Sequence, residues 1–71
     1  MTNEMLLEQE ISKRGLKKSF IARQLHISGN SLRNKISGKV EFKASEVLHM
    51  QELLGLDNDQ TRDIFLLRNV N

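Results

Sequence analysis

The feature that most limits what this chain can become is the apolar spacing between residues 21 and 36. Ile21 and Leu25 stand four apart, as do Leu32 and Ile36, and only His26, Ile27 and Ser28 separate the two short segments. A four-residue step places both members of a pair on one side of a helix. Two short helices joined by three residues must cross at close range. Ala22 supplies the small side chain such a crossing needs, and Ile27 can fill the space beneath the turn. Residue 26 falls where such a turn often needs a left-handed backbone. It is His, one of the side chains enriched in that conformation.

The rest of the chain reads as helix too, which gives an all-α fold of five helices in a single domain, residues 1–71. The first helix is expected over about Asn3 to Arg14, with Leu7 and Ile11 inward and Gly15 as its stop. The second runs from about Lys18 to Leu25. The third runs from about Gly29 to Ile36, with Ser28 as N-cap and Gly38 at its end. In the loop Lys39–Lys43, Phe42 is the expected anchor. Val47, Met50 and Leu54 form the stripe of a fourth helix over about Ala44 to Leu54. Gly55 caps that helix and Leu56 makes the apolar contact that follows such a cap. Asp57 or Asn58 opens a fifth helix that runs to about Leu67 with Ile64 and Phe65 inward. Met5 and Met50 read as core filler. The tail Arg68–Asn71 is expected to fray.

With no Cys, the chain has no disulfide framework, zinc-thiolate site or cysteine nucleophile. No apolar run approaches the ~18 residues of a membrane span. The acidic, amphipathic start reads against a signal peptide, so a cytoplasmic protein is expected. His26 and His49 lack ligand-like spacing, and no metal or cofactor is expected. No Ser/His/Asp order, paired-carboxylate frame or glycine-rich phosphate loop appears, which reads as a non-enzyme.

Net charge is only +2, but residues 1–10 carry −3, residues 11–43 carry +8 and residues 44–71 carry −3. A basic middle between acidic ends suggests a face for a polyanion. The bland alternative is a solvated surface. The basic segment contains an element built from weak helix formers, Gly29, Asn30, Ser31 and Asn34.

The stretch "LKKSFIARQLHISGNSLRNKISGK" resembles the helix-turn-helix of the Cro/lambda-repressor type, the XRE family. "EFKASEVLHMQELLGL" is similar to the loop and fourth helix of short phage and Gram-positive bacterial members. The resemblance spans roughly residues 5–66 and rests on Ile21, Ala22, Leu25, Ile27, Ser28, Leu32, Ile36, Gly38 and Leu54-Gly55-Leu56. It implies a five-helix, lambda-repressor-like DNA-binding domain with the helix-turn-helix at about residues 18–37. It also implies a sequence-specific transcriptional regulator of a prophage or mobile element, cytoplasmic and nucleoid-associated. The chain departs from the family in several places. His26 stands where Gly is usual. Lys18 or Ser19 stands where a Gln often braces a phosphate. Lys43 replaces a Thr or Ser cap, and Gly29 replaces a frequent base-contacting side chain.

In that frame Ser28, Gly29, Asn30, Ser31, Arg33 and Asn34 are the expected base-contacting positions. Asn30, Arg33 and Asn34 project together at i, i+3, i+4. Asn pairs bidentately with adenine and Arg with guanine in the major groove. Gly29 would let the backbone approach DNA closely. Lys17, Lys18, Ser19, Lys35, Lys39 and Lys43 are the expected phosphate contacts, which set orientation and affinity but not sequence. Each of these side chains has the alternative of facing water only, and Arg23 that of an internal ion pair. The implied partner is a double-stranded operator, bound by a homodimer through the fifth helix and tail. Leu66, Leu67 and Val70 are either that dimer surface or scattered apolar surface. A second reading takes the same fold as a protein-interaction module, an antirepressor or antitoxin-like protein.

Overall fold

Most helices of this chain begin where a side chain takes up a free backbone N–H, the one that follows Lys17 being the exception. The computed structural model describes residues 1–66 as five helices, α1 (Glu4–Arg14), α2 (Lys18–Gln24), α3 (Gly29–Ile36), α4 (Ala44–Leu54) and α5 (Asn58–Phe65). Among the described residues there is no strand. The Asn3 side chain accepts from the Leu6 N–H at the start of α1, and Ser28 Oγ accepts from the Ser31 N–H at the start of α3. At α5 the cap is reciprocal: Asp57 Oδ1 accepts from the Gln60 N–H, and Gln60 Oε1 accepts from the Asp57 N–H. At α4 only half of that device can form, because a Lys side chain has no acceptor. Glu46 takes the Lys43 N–H at 2.8 Å.

Gly15 and Gly55 end α1 and α4 in left-handed conformations, at φ 66° and 63°. Leu56, just beyond Gly55, is buried and donates its N–H to the Gln51 carbonyl. The turn between α2 and α3 passes through His26 at φ 58°, the left-handed residue expected there. His26 and Ile27 donate their N–H groups back to Arg23 and Ala22.

The apolar stripes meet in one core. Leu7 and Ile11 of α1, Ile21 and Ala22 of α2, Leu32 and Ile36 of α3, Val47, Met50 and Leu54 of α4, and Ile64 and Phe65 of α5 are all buried. Leu16, Phe20, Ile27 and Phe42 pack against that core while partly exposed. α2 packs on α3, α1 touches α3, α4 and α5, and α4 touches α5. Phe42 stands edge-on to Phe65 at 5.2 Å between ring centres, which ties the α3–α4 loop to the core. The radius of gyration is 11.2 Å, close to the ~11 Å of a compact chain of this length.

Two expectations fail. Met5 is no core filler: it is 71% exposed. It lies two residues from Leu7, a step that carries it round the helix away from the Leu7–Ile11 stripe. The fifth helix stops at Phe65, and Leu66 follows with φ 49° instead of extending it.

Candidate nucleic-acid interface

α3 is held by one side and open on the other. Leu32 and Ile36 are almost fully buried, while Gly29, Asn30 and Arg33 are exposed, as is Ser37 just past the helix end. Ser31 and Asn34 are half-buried at the margins of that face. Ser28 is exposed but its oxygen is engaged as the N-cap, which leaves the hydroxyl hydrogen to donate outward. Ser37 has the same register as Gly29 and Arg33, at four-residue steps, so it joins the exposed row. Ser37 lies one residue past the expected helix end at Ile36 and was not among the candidate positions, although its spacing from Arg33 carried the signal.

Gly29 is informative in its own right. It lies in the helix without a positive φ, and a Cβ placed on it meets no atom within 4 Å. Neither backbone conformation nor internal packing requires glycine there. In a helix interior glycine costs about 1 kcal/mol against alanine. The smallness of this residue therefore has no use inside the molecule.

The lysines expected at phosphates divide into three groups. Lys17, Lys39 and Lys43 are exposed and, among the described residues, none has a carboxylate partner within 4.0 Å. Lys17 and the exposed Ser19 sit at the start of α2, whereas Lys39 and Lys43 lie in the α3–α4 loop. That loop is set against α3 by the Asn34 carbonyl, which accepts from the Lys39 and Val40 N–H groups and from the Ser37 hydroxyl. Lys18 is exposed but bonded to Glu8 of α1 at 2.8 Å. Arg23 is exposed on α2, and no ion pair engages it among the described residues.

Lys35 departs from its expected role and is withdrawn from the phosphate contacts. It is 7% exposed, and its Nζ is bonded to Glu46 at 2.6 Å. The spacing explains this: residue 35 follows Leu32 by three and precedes Ile36 by one, so it falls on the inner side of α3. Glu46 Oε1 accepts from both Lys35 and the Lys43 N–H, and so links the last turn of α3 to the first turn of α4. Burial pushes the Glu46 pKa up, but the Lys35 and Lys43 hydrogen bonds and the charges of both lysines outweigh it. The carboxyl ends below its ordinary value of 4.5.

A groove of about 300 Å³ runs beside the exposed row where α1, α2 and α3 meet, lined by Glu4, Glu8, Lys18, Ser19, Gly29, Arg33 and Ser37 over a floor of Leu32 and Ile36. The two carboxylates at its edge were not among the candidate residues. Nothing in the sequence signals them, because only the packing of α1 brings them there. A larger groove of about 580 Å³ lies on the α4–α5 side, with Phe42, Ala44, Val47 and Leu48 as its apolar part. Leu48 is 62% exposed. Of the expected dimer residues, Leu66 is exposed at the end of α5, and Leu67 and Val70 lie outside the described residues. Among the described residues no helix is long and apolar enough to cross a membrane, and no three His, Cys, Asp or Glu side chains gather as metal ligands.

Comparison of the chain with protein-family models, with curated proteins and with solved structures finds no match.

Proposed function

We propose that this chain is a sequence-specific double-stranded DNA-binding protein, a transcriptional regulator whose α2–turn–α3 unit is a helix-turn-helix of the Cro/lambda-repressor type. The observation that carries the reading is the division of α3. Its apolar edge is sunk in the core, while its other side presents Gly29, Asn30, Arg33 and Ser37 to the outside. Amide, guanidinium and hydroxyl groups can match the donor and acceptor pattern at base edges in the major groove. Lys17, Lys18, Lys39 and Lys43 stand before and after the element and would take phosphates. In this arrangement the chain acts by occupying its operator, with no cofactor and no chemical step. One domain reads one half-site, so a homodimer with half-sites about one helical turn apart is the working form. Leu66 is its one described contact candidate.

Selection of duplexes from a random pool, followed by gel shift of the selected site over a salt series, tests this. Enrichment of a defined sequence is expected. With Lys17, Lys39 and Lys43 unpaired in each protomer among the described residues, the logarithm of affinity should fall against the logarithm of salt with a slope of about −3 per half-site. A pool that enriches nothing and duplexes that are not retarded would remove the reading.

The open α4–α5 groove and the exposed Leu48 favour one second reading, a protein-interaction module of the antirepressor or antitoxin kind. Such a protein would engage its partner through that side and leave the α3 row unused.

A further inference from the structure

Lys18 and Glu8 form an ion pair at 2.8 Å between α2 and α1, with side chains 53% and 38% exposed. A pair this exposed contributes ~0–1 kcal/mol to stability, too little to explain its place in the fold. Its place matters more. Both residues line the groove beside Gly29, Arg33 and Ser37, where Glu4 adds a second carboxylate one turn earlier on α1. The third acid of that helix, Glu10, is buried and turned to Lys13 and Arg14. Of the four exposed lysines around α3, Lys18 is the one already neutralised among the described residues.

We infer that Glu8 is an internal competitor for the DNA backbone: its carboxylate holds Lys18 in the free protein, and a phosphate must compete with it for that ammonium. This inference rests on the DNA-binding reading. A cation paired in the free protein contributes little net charge to the complex, and a displaced carboxylate is left close to the duplex. The electrostatic term that drives binding to any sequence is therefore reduced. Base contacts through α3 must then supply a larger share of the affinity, so Glu8 keeps the protein from accumulating on DNA of arbitrary sequence.

The test is gel-shift titration of wild type, Glu8→Gln and the double variant Glu8→Gln/Lys18→Gln on a selected duplex and a random duplex, each across a salt series. Glu8→Gln is expected to bind both duplexes about two- to fivefold more tightly, with a salt slope steeper by about 0.9. The double variant is expected to lose that gain in both affinity and slope, because it lacks the lysine through which the gain passes. Thermal melts are expected to stay within a few degrees across the set, since the pair is exposed. Glu8→Gln affinity and slope equal to or weaker than wild type would overturn the inference. So would a gain that persists in the double variant, since it would not pass through Lys18. If wild type binds duplexes and only these differences fail, the DNA reading stands and the competitor role alone is lost. If no protein in the set retards any duplex, both fall together.

Discussion

Replacing Gly29 by Ala separates a residue kept for folding from one kept for a partner. The position is helical, without a positive φ, and an added Cβ meets no atom of the molecule within 4 Å. Nothing in the folded state resists the methyl group. The unfolded chain loses conformational freedom, so the substitution should stabilise the fold by about 0.4–1 kcal/mol. Gly29 is the first residue of α3, so the lower half of that range applies. For a domain of this size each kcal/mol moves the melting temperature by about 4–8 °C, so a rise of roughly 2–6 °C is expected. DNA binding should move the other way. If the glycine lets a phosphate or base edge approach the backbone, a methyl group in a tightly packed contact costs about 1–3 kcal/mol, roughly 5- to 150-fold in affinity. Calorimetry and gel shift on the same preparation give both numbers. A variant that melts higher and binds DNA as well as wild type would refute the close-approach role. A variant that melts lower would refute the structural reasoning, because the site was read as open.

Lys35→Met keeps the buried stem of the side chain and removes its ammonium from Glu46. Breaking a buried pair costs about 3–5 kcal/mol, but Glu46 keeps the Lys43 N–H and both side chains retain slight exposure, so a loss of about 2–3 kcal/mol at pH 7 is expected from chemical denaturation. Glu46 has a lowered pKa in the folded chain, so its contribution is present above the ordinary carboxylate range and fades as pH falls through the folded value. The gap between wild type and variant should close on acidification, and a gap that is constant with pH would refute the assignment. Arg33→Ala should cost roughly 1–3 kcal/mol on the selected duplex and relax one base position, whereas equal losses on random DNA would count against base reading. Lys39→Ala should weaken binding to all duplexes alike and flatten the salt slope by about 0.9; an unchanged slope would take it off the phosphate list.

Much of the fold was legible because this chain punctuates its helices with side chains that carry their own geometry. Asn3, Ser28 and Asp57 cap with their own oxygens, Gly15 and Gly55 close helices, and the observed ends of α3 and α4 fall where those signals place them. The exposed face of the candidate site was legible wherever it depends on register along one helix. Asn30, Arg33 and the buried Leu32–Ile36 edge all follow from the 3.6-residue repeat. The repeat also placed Lys35 inward, but the general habit of lysine is to seek water, and its partner Glu46 lies eleven residues on, at the start of another helix. Glu4 and Glu8 could not be read at all, since their arrival beside α3 depends on how α1 packs. Val47 was legible as buried from the Val47–Met50–Leu54 stripe, which leaves Leu48 facing out.

The use of α3 as the reading surface is tested most directly by backbone amide NMR of the labelled protein titrated with a selected duplex. Shifts should concentrate on Gly29 to Asn34, on Ser37 to Lys43 and on Lys17 to Ser19, with the residues around Leu48 and Asn58 unmoved. Shifts gathered on the α4–α5 groove, with the row from Gly29 to Ser37 undisturbed, would contradict the proposed DNA-reading role of α3.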